Sequence, residues 1–147
     1  MKIFIASDHR GFKLKESLIP LLLGLDYEVV DKGAFSYDEV DDYPDFIRPV
    51  AMAVGEHPMH TLGIIIGGSG QGEAMLANRF KNVRASVYYG GNEEIIKLSK
   101  EDNDSNVLSL GARFLTEDEA KKAVRLWLDT DFSEEERHIR RIQKIDD

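Results

Sequence analysis

Short apolar runs alternate with amphipathic stretches along the whole chain. Runs of the kind seen in buried strands occur at residues 2–6, 28–31, 63–66, 84–88 and 106–110. The stretches between these runs predict helices at residues 12–23, 43–54, 73–78 and 92–99. Two more helices are predicted after the last run, one from Thr116 to residue 128 and one from Ser133 to residue 144. Thr116 and Ser133 are each followed three residues later by Glu, which is the spacing of a capping box.

Strands that alternate with helices predict an α/β fold, with an open, mostly parallel five-stranded sheet and helices on both faces. A chain of 147 residues is long enough for one domain, spanning 1–147. Ligands bind such sheets at the carboxyl ends of the strands. We therefore expect Asp8-His9, the turn at 67–72 and the polar segment before Asn106 to lie on one edge.

Composition narrows the class of protein. The 27 Asp and Glu outnumber the 19 Lys and Arg, and the net charge of −8 argues against a nucleic-acid partner. The absence of cysteine excludes disulfides, thiolate metal sites and a thiol base. No apolar run approaches the roughly 18 residues that a membrane span needs. These features predict a soluble cytoplasmic protein without a membrane partner.

A glycine-rich turn, Gly67–Gly72 (GGSGQG), follows the most apolar strand, and Glu73 follows the turn. The turn lacks the Lys-Ser/Thr of a P-loop and the glycine spacing of a dinucleotide site, so by itself it also fits a tight turn with no ligand. Glu73 also has two interpretations. It is either a carboxylate that stabilises a helix N-terminus by roughly 0.3–1 kcal/mol, or a general base beside backbone N–H donors, as removal of a proton next to a carbonyl requires.

Two further clusters are candidates for binding. Asp8-His9 is either a helix cap with a surface histidine or a pair that binds sugar hydroxyls and a phosphate. Arg137 and Arg141 share a helix face at i, i+4. They form either a solvated face, whose repulsion Glu134 and Glu136 offset in part, or a pair that captures a phosphate, for which Arg113 is a third candidate. His57 and His60 form no convincing metal site, and we expect neither a metal nor another cofactor.

Seven sequence blocks, in order from end to end, carry a resemblance to a known family. They are SDHRGFKLK, VVDKGA, DDYPDF, GIIIGGSGQGEAMLANR, VRASV, DNDSNVLSLGAR and RHIRRI. Together they resemble the ribose-5-phosphate isomerase B group, which includes galactose-6-phosphate isomerase subunits. The resemblance implies a Rossmann-like three-layer α/β/α sandwich with a C-terminal helix. It also implies metal-independent interconversion of ribose 5-phosphate and ribulose 5-phosphate through a cis-enediolate, in a homodimer or homotetramer whose sites lie at the subunit interface.

The resemblance also implies roles for individual residues. Many members carry a cysteine base at the position of Gly67, but this chain is similar to the branch that reads GGSGxGE, in which the glutamate, here Glu73, is the base. Ser69 and the backbone of Gly68, Gly70, Gln71 and Gly72 would stabilise the enediolate. The residues implied to bind the sugar and its phosphate are Asp8, His9, Tyr43, Asn103, Arg113, Arg137 and Arg141, some of them from the neighbouring subunit.

The chain departs from this family at Asp102, where the usual residue is a histidine that acts in opening the furanose ring. An ionised carboxylate can only accept a proton, whereas ring opening also needs one delivered. Three functional interpretations are open: Asp102 acts while held protonated by burial or by its acidic neighbours, a water or His9 takes over its role, or the preferred substrate differs. The structural alternative is that Asp102 is only part of an acidic loop that leads into a strand. Two alternative functions therefore stay open: isomerisation of another sugar phosphate such as a hexose 6-phosphate, and sugar-phosphate binding without catalysis.

Overall fold

Every predicted strand and helix is present in the structure, a computed structural model that describes residues 1–147. The strands are β1 (Lys2–Ser7), β2 (Glu28–Asp31), β3 (Thr61–Gly67), β4 (Ala85–Tyr88) and β5 (Val107–Gly111). The helices are α1 (Phe12–Gly24), α2 (Tyr43–Glu56), α3 (Gln71–Ala77), α4 (Glu94–Glu101), α5 (Glu117–Asp129) and α6 (Glu136–Gln143).

The five strands form one sheet in the order β2-β1-β3-β5-β4, and every neighbouring pair is parallel. The strands at the centre of the sheet are buried on both faces, which explains why they appear in the sequence as continuous apolar runs. In β3, Ile64 and Ile66 belong to one core and Ile65 to the other, because successive residues of a strand point to opposite faces.

Helices cover both faces, so the predicted three-layer α/β/α architecture is confirmed. The helices α1, α4 and α5 cover one face, where the core includes Leu14, Leu18, Leu22, Ile96 and Trp127. The helices α2 and α3 cover the other, where it includes Ile47, Val50, Ala51, Val54 and Ala77. No helix is both long enough and apolar enough to cross a membrane.

The strand order changes direction between β1 and β3. From β1 the chain proceeds to β2 on one side, and from β3 it proceeds to β4 and β5 on the other. In open α/β sheets the crevice at such a switch point, at the carboxyl ends of the strands, is where ligands bind. The residues at that point are Ser7, which ends β1, and Gly67, which ends β3.

The two predicted capping boxes have different outcomes. At α5 the prediction is confirmed, since the Glu119 N–H donates to Thr116 Oγ1 and the Thr116 N–H donates to Glu119 Oε1. At α6 it is wrong: the helix begins at Glu136, and its N-cap, Glu135, makes no side-chain cap. The reason is that Glu134 has left-handed backbone, with φ of 58°, which interrupts a helix that would start at Ser133.

Candidate active site

The turns that follow β1, β3 and β5 meet at the carboxyl edge of the sheet. The N–H of Ala112 donates to the carbonyl oxygen of Gly67 over 2.8 Å, and the N–H of Arg113 donates to that of Gly68 over 3.0 Å. The Ser109 hydroxyl donates to the Gly70 carbonyl over 2.6 Å, and Gly70 has the positive φ, 77°, that glycine tolerates best. The glycine turn is therefore held rigidly against β5.

The Glu73 carboxylate lies directly beside the end of β3. Glu73 is in the first turn of α3 and only 4% exposed. A Cβ atom on Gly67 would overlap its carboxyl group, so the absence of a side chain at position 67 makes room for this carboxylate. Burial raises the pKa of Glu73, a hydrogen bond from its own backbone N–H opposes this, and the charge of Asp8 raises the pKa further.

Unused donors lie in the same turn. The backbone N–H groups of Gly68, Ser69 and Gly70 donate to no backbone carbonyl of the chain. The Ser69 hydroxyl accepts a hydrogen bond from the N–H of Gln71 over 3.3 Å. A buried carboxylate next to free N–H groups is an arrangement that can take a proton from carbon and stabilise the oxyanion that results.

The Tyr43 side chain lies against the glycine turn. It is the first residue of α2, and a Cβ atom on Gly72 would lie 2.6 Å from its phenolic oxygen. The close approach of the phenol therefore requires glycine at position 72. This contact places the phenol of Tyr43 beside the first turn of α3, to which Glu73 also belongs.

Asp8 lies at the end of β1, on the same edge as Glu73. It is 7% exposed, and its Oδ1 accepts hydrogen bonds from the N–H groups of Arg10, over 2.9 Å, and Gly11, over 3.3 Å. Burial raises the pKa of Asp8, while these two donors lower it. Asp8 therefore organises the turn before α1, and it also forms, with Glu73, a pair of buried carboxylates that raises the pKa of Glu73.

Asp41 is a site residue that sequence reasoning missed. Its Oδ1 lies 2.5 Å from His9 Nδ1 and accepts the His9 backbone N–H over 3.1 Å. Its side chain is 7% exposed, and Oδ2 has no hydrogen-bond partner. The only signal in the sequence is an acidic run, residues 38–42, which does not distinguish Asp41 from its neighbours.

Asp8, His9 and Asp41 present potential ligand atoms within 4.8 Å of one another. Carboxylate and imidazole groups can hold a divalent cation. Nothing in the sequence links Asp41 to the other two residues, because it lies 32 positions from His9. In the structure His9 Nδ1 and Asp41 Oδ1 contact each other, and Asp41 Oδ2 has no hydrogen-bond partner.

Cations also lie at this edge. Arg113 follows β5 and is exposed. The Arg10 side chain, which sequence reasoning did not single out, lies beside the glycine turn, since a Cβ atom on Gly68 would be 3.7 Å from Arg10 Cγ. Both guanidinium groups are candidates for binding an anion.

The expectation that the segment before Asn106 shares this edge is wrong. That segment leads into β5, so it lies at the amino edge, where Arg84 Nε donates to the carbonyl oxygens of Asn103, over 3.0 Å, and Asp104, over 2.9 Å. Residues that precede a strand of a parallel sheet lie opposite those that follow one. Asp102 and Asn103 are therefore separated from Glu73 by the length of β5, on the order of 15 Å.

The arginines of α6 belong to the amino edge as well. Ile145, just after α6, lines a cavity together with Asn103, and the Asn82 N–H donates to Asp146 Oδ2 over 2.8 Å. Arg137 and Arg141 are exposed on α6, where Arg137 Nε donates to Glu135 Oε2.

The predicted site residues thus form two groups within one chain. The carboxyl-edge group contains Asp8, His9, Tyr43, Gly68, Ser69, Gly70, Gln71, Gly72, Glu73 and Arg113, and the amino-edge group contains Asp102, Asn103, Arg137 and Arg141.

Comparison with known proteins identifies relatives along the whole chain. A family model described as Ribose/Galactose Isomerase matches residues 3–145. A ribose-5-phosphate isomerase B of Mycolicibacterium paratuberculosis is 37% identical over 142 residues, which cover 97% of this chain and 87% of the relative.

Solved structures give the same result. A crystal structure of ribose-5-phosphate isomerase B from Mycoplasma genitalium with bound ribulose-5-phosphate is similar with a TM-score of 0.93 and 41% identity, over 98% of this chain and 93% of the other. A structure of ribose-5-phosphate isomerase B from Clostridium thermocellum is similar with a TM-score of 0.91 and 40% identity, and the match covers 99% of this chain and 95% of the other.

Proposed function

Since the chain belongs to the ribose/galactose isomerase family, we propose that this aldose–ketose isomerase interconverts ribose 5-phosphate and ribulose 5-phosphate without a metal. The observation that carries the proposal is the buried Glu73 carboxylate at the switch point of the sheet, beside free backbone N–H groups. The names of the chain's relatives indicate the class of substrate, and the Mycoplasma genitalium structure holds ribulose-5-phosphate.

The proposed chemistry is a proton transfer between neighbouring carbons. Glu73 removes the proton from C2 of the open aldose, and the C–H electron pair forms the C1=C2 bond of a cis-enediolate as charge develops on O1. The N–H groups of Gly68, Ser69 and Gly70 stabilise this charge. The same carboxyl group returns the proton to C1, while the hydroxyl proton moves from O2 to O1, which completes the ketose.

The environment of Glu73 suits this role. A carboxylate of ordinary pKa is a weak base, and burial raises the pKa of Glu73, so that its conjugate acid holds the abstracted proton better. Gly67 contributes by leaving the space that the carboxylate fills. In family members with a cysteine base at that position, the thiol side chain would start from the same point of the backbone.

A complete site needs a second copy of the chain. The amino-edge group, with Asn103 and the α6 arginines, cannot reach Glu73 of its own chain across β5. A homodimer, or a homotetramer built from it, would bring the amino edge of one chain to the carboxyl edge of another, so that Arg137 and Arg141 bind the phosphate of a sugar on the partner's Glu73. Exposed apolar side chains near both edges support such an interface, among them Tyr37, Val40, Met75, Ile139 and Ile145.

The Glu73→Gln variant tests the proposed base. We expect it to lower turnover of ribose 5-phosphate by at least about 10²-fold, and to abolish deuterium incorporation from D₂O at C2, while substrate still raises the Tm of the variant. The matched control is Glu56→Gln, which changes an exposed glutamate at the end of α2. Turnover of Glu73→Gln close to that of the control would contradict the assignment.

The substitution of Asp102 for the usual histidine favours two competing functions, and the same measurements separate them. Faster turnover of a hexose 6-phosphate than of ribose 5-phosphate in a substrate panel would identify a different sugar-phosphate isomerase. A rise in Tm with ribose 5-phosphate, but no exchange at C2 in the unmodified protein, would identify a binding protein without catalysis.

A further inference from the structure

His138 is a buried histidine in an otherwise exposed helix. It is the one buried residue of α6, at 5% exposure, and its Nε2 atom has no hydrogen-bond partner. Buried polar atoms of native proteins nearly always have a partner, so an unpartnered imidazole nitrogen needs an explanation. The atom that it faces is Oδ1 of Asp102, 3.3 Å away.

Asp102 connects this imidazole to the surface. It is the C-cap of α4, and its side chain is 42% exposed at the amino edge, next to Asn103. The N–H of Ser133 donates to the carbonyl oxygen of Glu101 over 3.1 Å, which holds the segment before α6 against the end of α4. The carboxylate of Asp102 thus has one oxygen beside His138 and remains accessible to a molecule outside.

A purely structural ion pair is the simpler explanation. Ion pairs that are partly exposed to solvent contribute little stability, however, and this one leaves Nε2 without an aligned hydrogen bond. Asp102 also stands at the position where the resemblance implies a ring-opening histidine. An imidazole is a stronger base than a carboxylate, and it can both accept and donate a proton near neutral pH.

We propose that His138 is a positioning residue that acts through Asp102, so that the pair replaces the missing histidine in opening the sugar ring; this inference rests on the proposed function. The Asp102 carboxylate accepts the proton of the anomeric hydroxyl, and neutral His138 Nε2 then takes that same proton from the carboxyl group, which leaves Asp102 ionised again. The C1–O4 bond of the furanose breaks, its electron pair stays on O4, and the O–H electrons form the C1=O1 bond. The imidazolium then returns the proton through Asp102 to O4, which leaves the pair unchanged.

Ribulose 5-phosphate provides a substrate that needs no ring opening. Its C5 hydroxyl is esterified, so this ketose cannot close to a furanose and stays open, whereas ribose 5-phosphate is mainly cyclic. A defect in ring opening should therefore slow the turnover of the aldose. It should leave unchanged the exchange of the C1 hydrogen of the ketose with D₂O, which uses Glu73 and the N–H groups of the glycine turn but no ring opening.

The experiment compares these two rates in His138→Gln and Asp102→Asn. We expect kcat for ribose 5-phosphate to fall at least about tenfold in each variant, with KM and the exchange at C1 of ribulose 5-phosphate changed less than about threefold. His60→Gln is the matched control, because His60 is exposed in the loop before β3. Thermal unfolding checks that each variant is folded. If His138→Gln does not fold, Asp102→Asn still provides the test, because the Asp102 side chain is partly exposed.

Two results would overturn the inference alone: kcat unchanged in both variants, or kcat and the exchange rate falling in parallel. Failure of the unmodified protein to turn over ribose 5-phosphate would instead overturn the proposed function. Loss of kcat with retained exchange would establish that the pair acts on the ring and not on the carbon-bound hydrogen.

Discussion

Two buried carboxylates at one edge of the sheet make the site unfavourable for folding. Burial raises the pKa of both Glu73 and Asp8, and the charge of Asp8 raises the pKa of Glu73 further. A carboxyl group with a raised pKa binds its proton more tightly in the folded than in the unfolded state. The stabilising contribution of such a group is fully present when the pH is below its pKa in the unfolded state. That contribution is lost as the pH rises through its pKa in the folded state. At neutral pH the charge that the proposed base needs is therefore destabilising.

We expect Glu73→Gln to raise the Tm at about pH 7.5 by on the order of 2–4 °C, because an uncharged amide replaces a buried carboxylate. At about pH 4, where Glu73 binds its proton, the difference should disappear. Calorimetry of the unmodified protein and of both Glu73→Gln and Glu56→Gln measures this, since Glu56 is exposed and should have no effect. A lower Tm at about pH 7.5 would show that the charge stabilises the fold.

Asp41 acts on the site through His9. Its Oδ1 contacts both the backbone N–H and Nδ1 of His9, which fixes the ring and leaves Nε2 as the nitrogen available to a ligand. Carboxylates that contact a functional histidine in this way hold its tautomer and the orientation of its ring. Neither effect can be read from a position within an acidic run.

For Asp41→Asn we expect kcat/KM to fall by about tenfold, because the amide orients the imidazole less strongly. Steady-state kinetics measures the loss, and ¹⁵N NMR of the histidines measures a change in the tautomer of His9. Asp38→Asn is the control, since Asp38 belongs to the same acidic run but its Oδ1 accepts only from the exposed N–H of Val40. Equal kinetics in the two variants would mean that Asp41 does not position His9.

At the scale of elements, identical local signals gave different structures. Thr116 and Ser133 both precede a helix and both have Glu three residues on, yet only Thr116 forms the capping box. The difference arises at Glu134, whose left-handed backbone shortens α6. Local spacing therefore predicted the existence and order of the elements, whereas the start of α6 depended on a backbone conformation that the spacing does not show.

Alanine substitutions at the two positions should have unequal effects. Thr116→Ala removes the reciprocal hydrogen bonds of the capping box, so we expect a loss of about 1 kcal/mol, or a Tm lower by about 2–4 °C. Ser133→Ala removes one long contact, in which Ser133 Oγ accepts from the N–H of Glu135 over 3.4 Å, and should change the Tm by much less. Urea unfolding of both variants measures the difference, and equal losses would contradict this interpretation of α6.

At the scale of the whole molecule, the candidate site residues divide between opposite edges of the sheet. Glu73, Asp8 and Tyr43 belong to the carboxyl edge, while Asn103 and Arg137 belong to the amino edge. A site that uses both groups must be shared between two copies of the chain, and in a twofold dimer each copy then contributes to both sites.

Co-expression of two inactive chains tests the shared site. One chain carries Glu73→Gln, and the other carries Asn103→Ala and Arg137→Ala. Because half of randomly paired dimers are mixed and each mixed dimer has one unaltered site, activity should return to about one quarter of the unmodified level. The control pairs Glu73→Gln with Asp8→Asn, both at the carboxyl edge, and should recover nothing. Equal activity from the two combinations would contradict a site shared between subunits.

The sequence by itself determined the alternating elements, the parallel three-layer fold and the chemical identity of the turn with Glu73, because these depend on local periodicity and on residue type. Only the tertiary structure decided which residues meet. It brought Asp41 to His9 and His138 to Asp102, and it separated Asn103 from Glu73 by the length of β5. The physical reason is that such contacts depend on strand direction and helix packing, which join residues distant in the chain and leave no periodic signal in it.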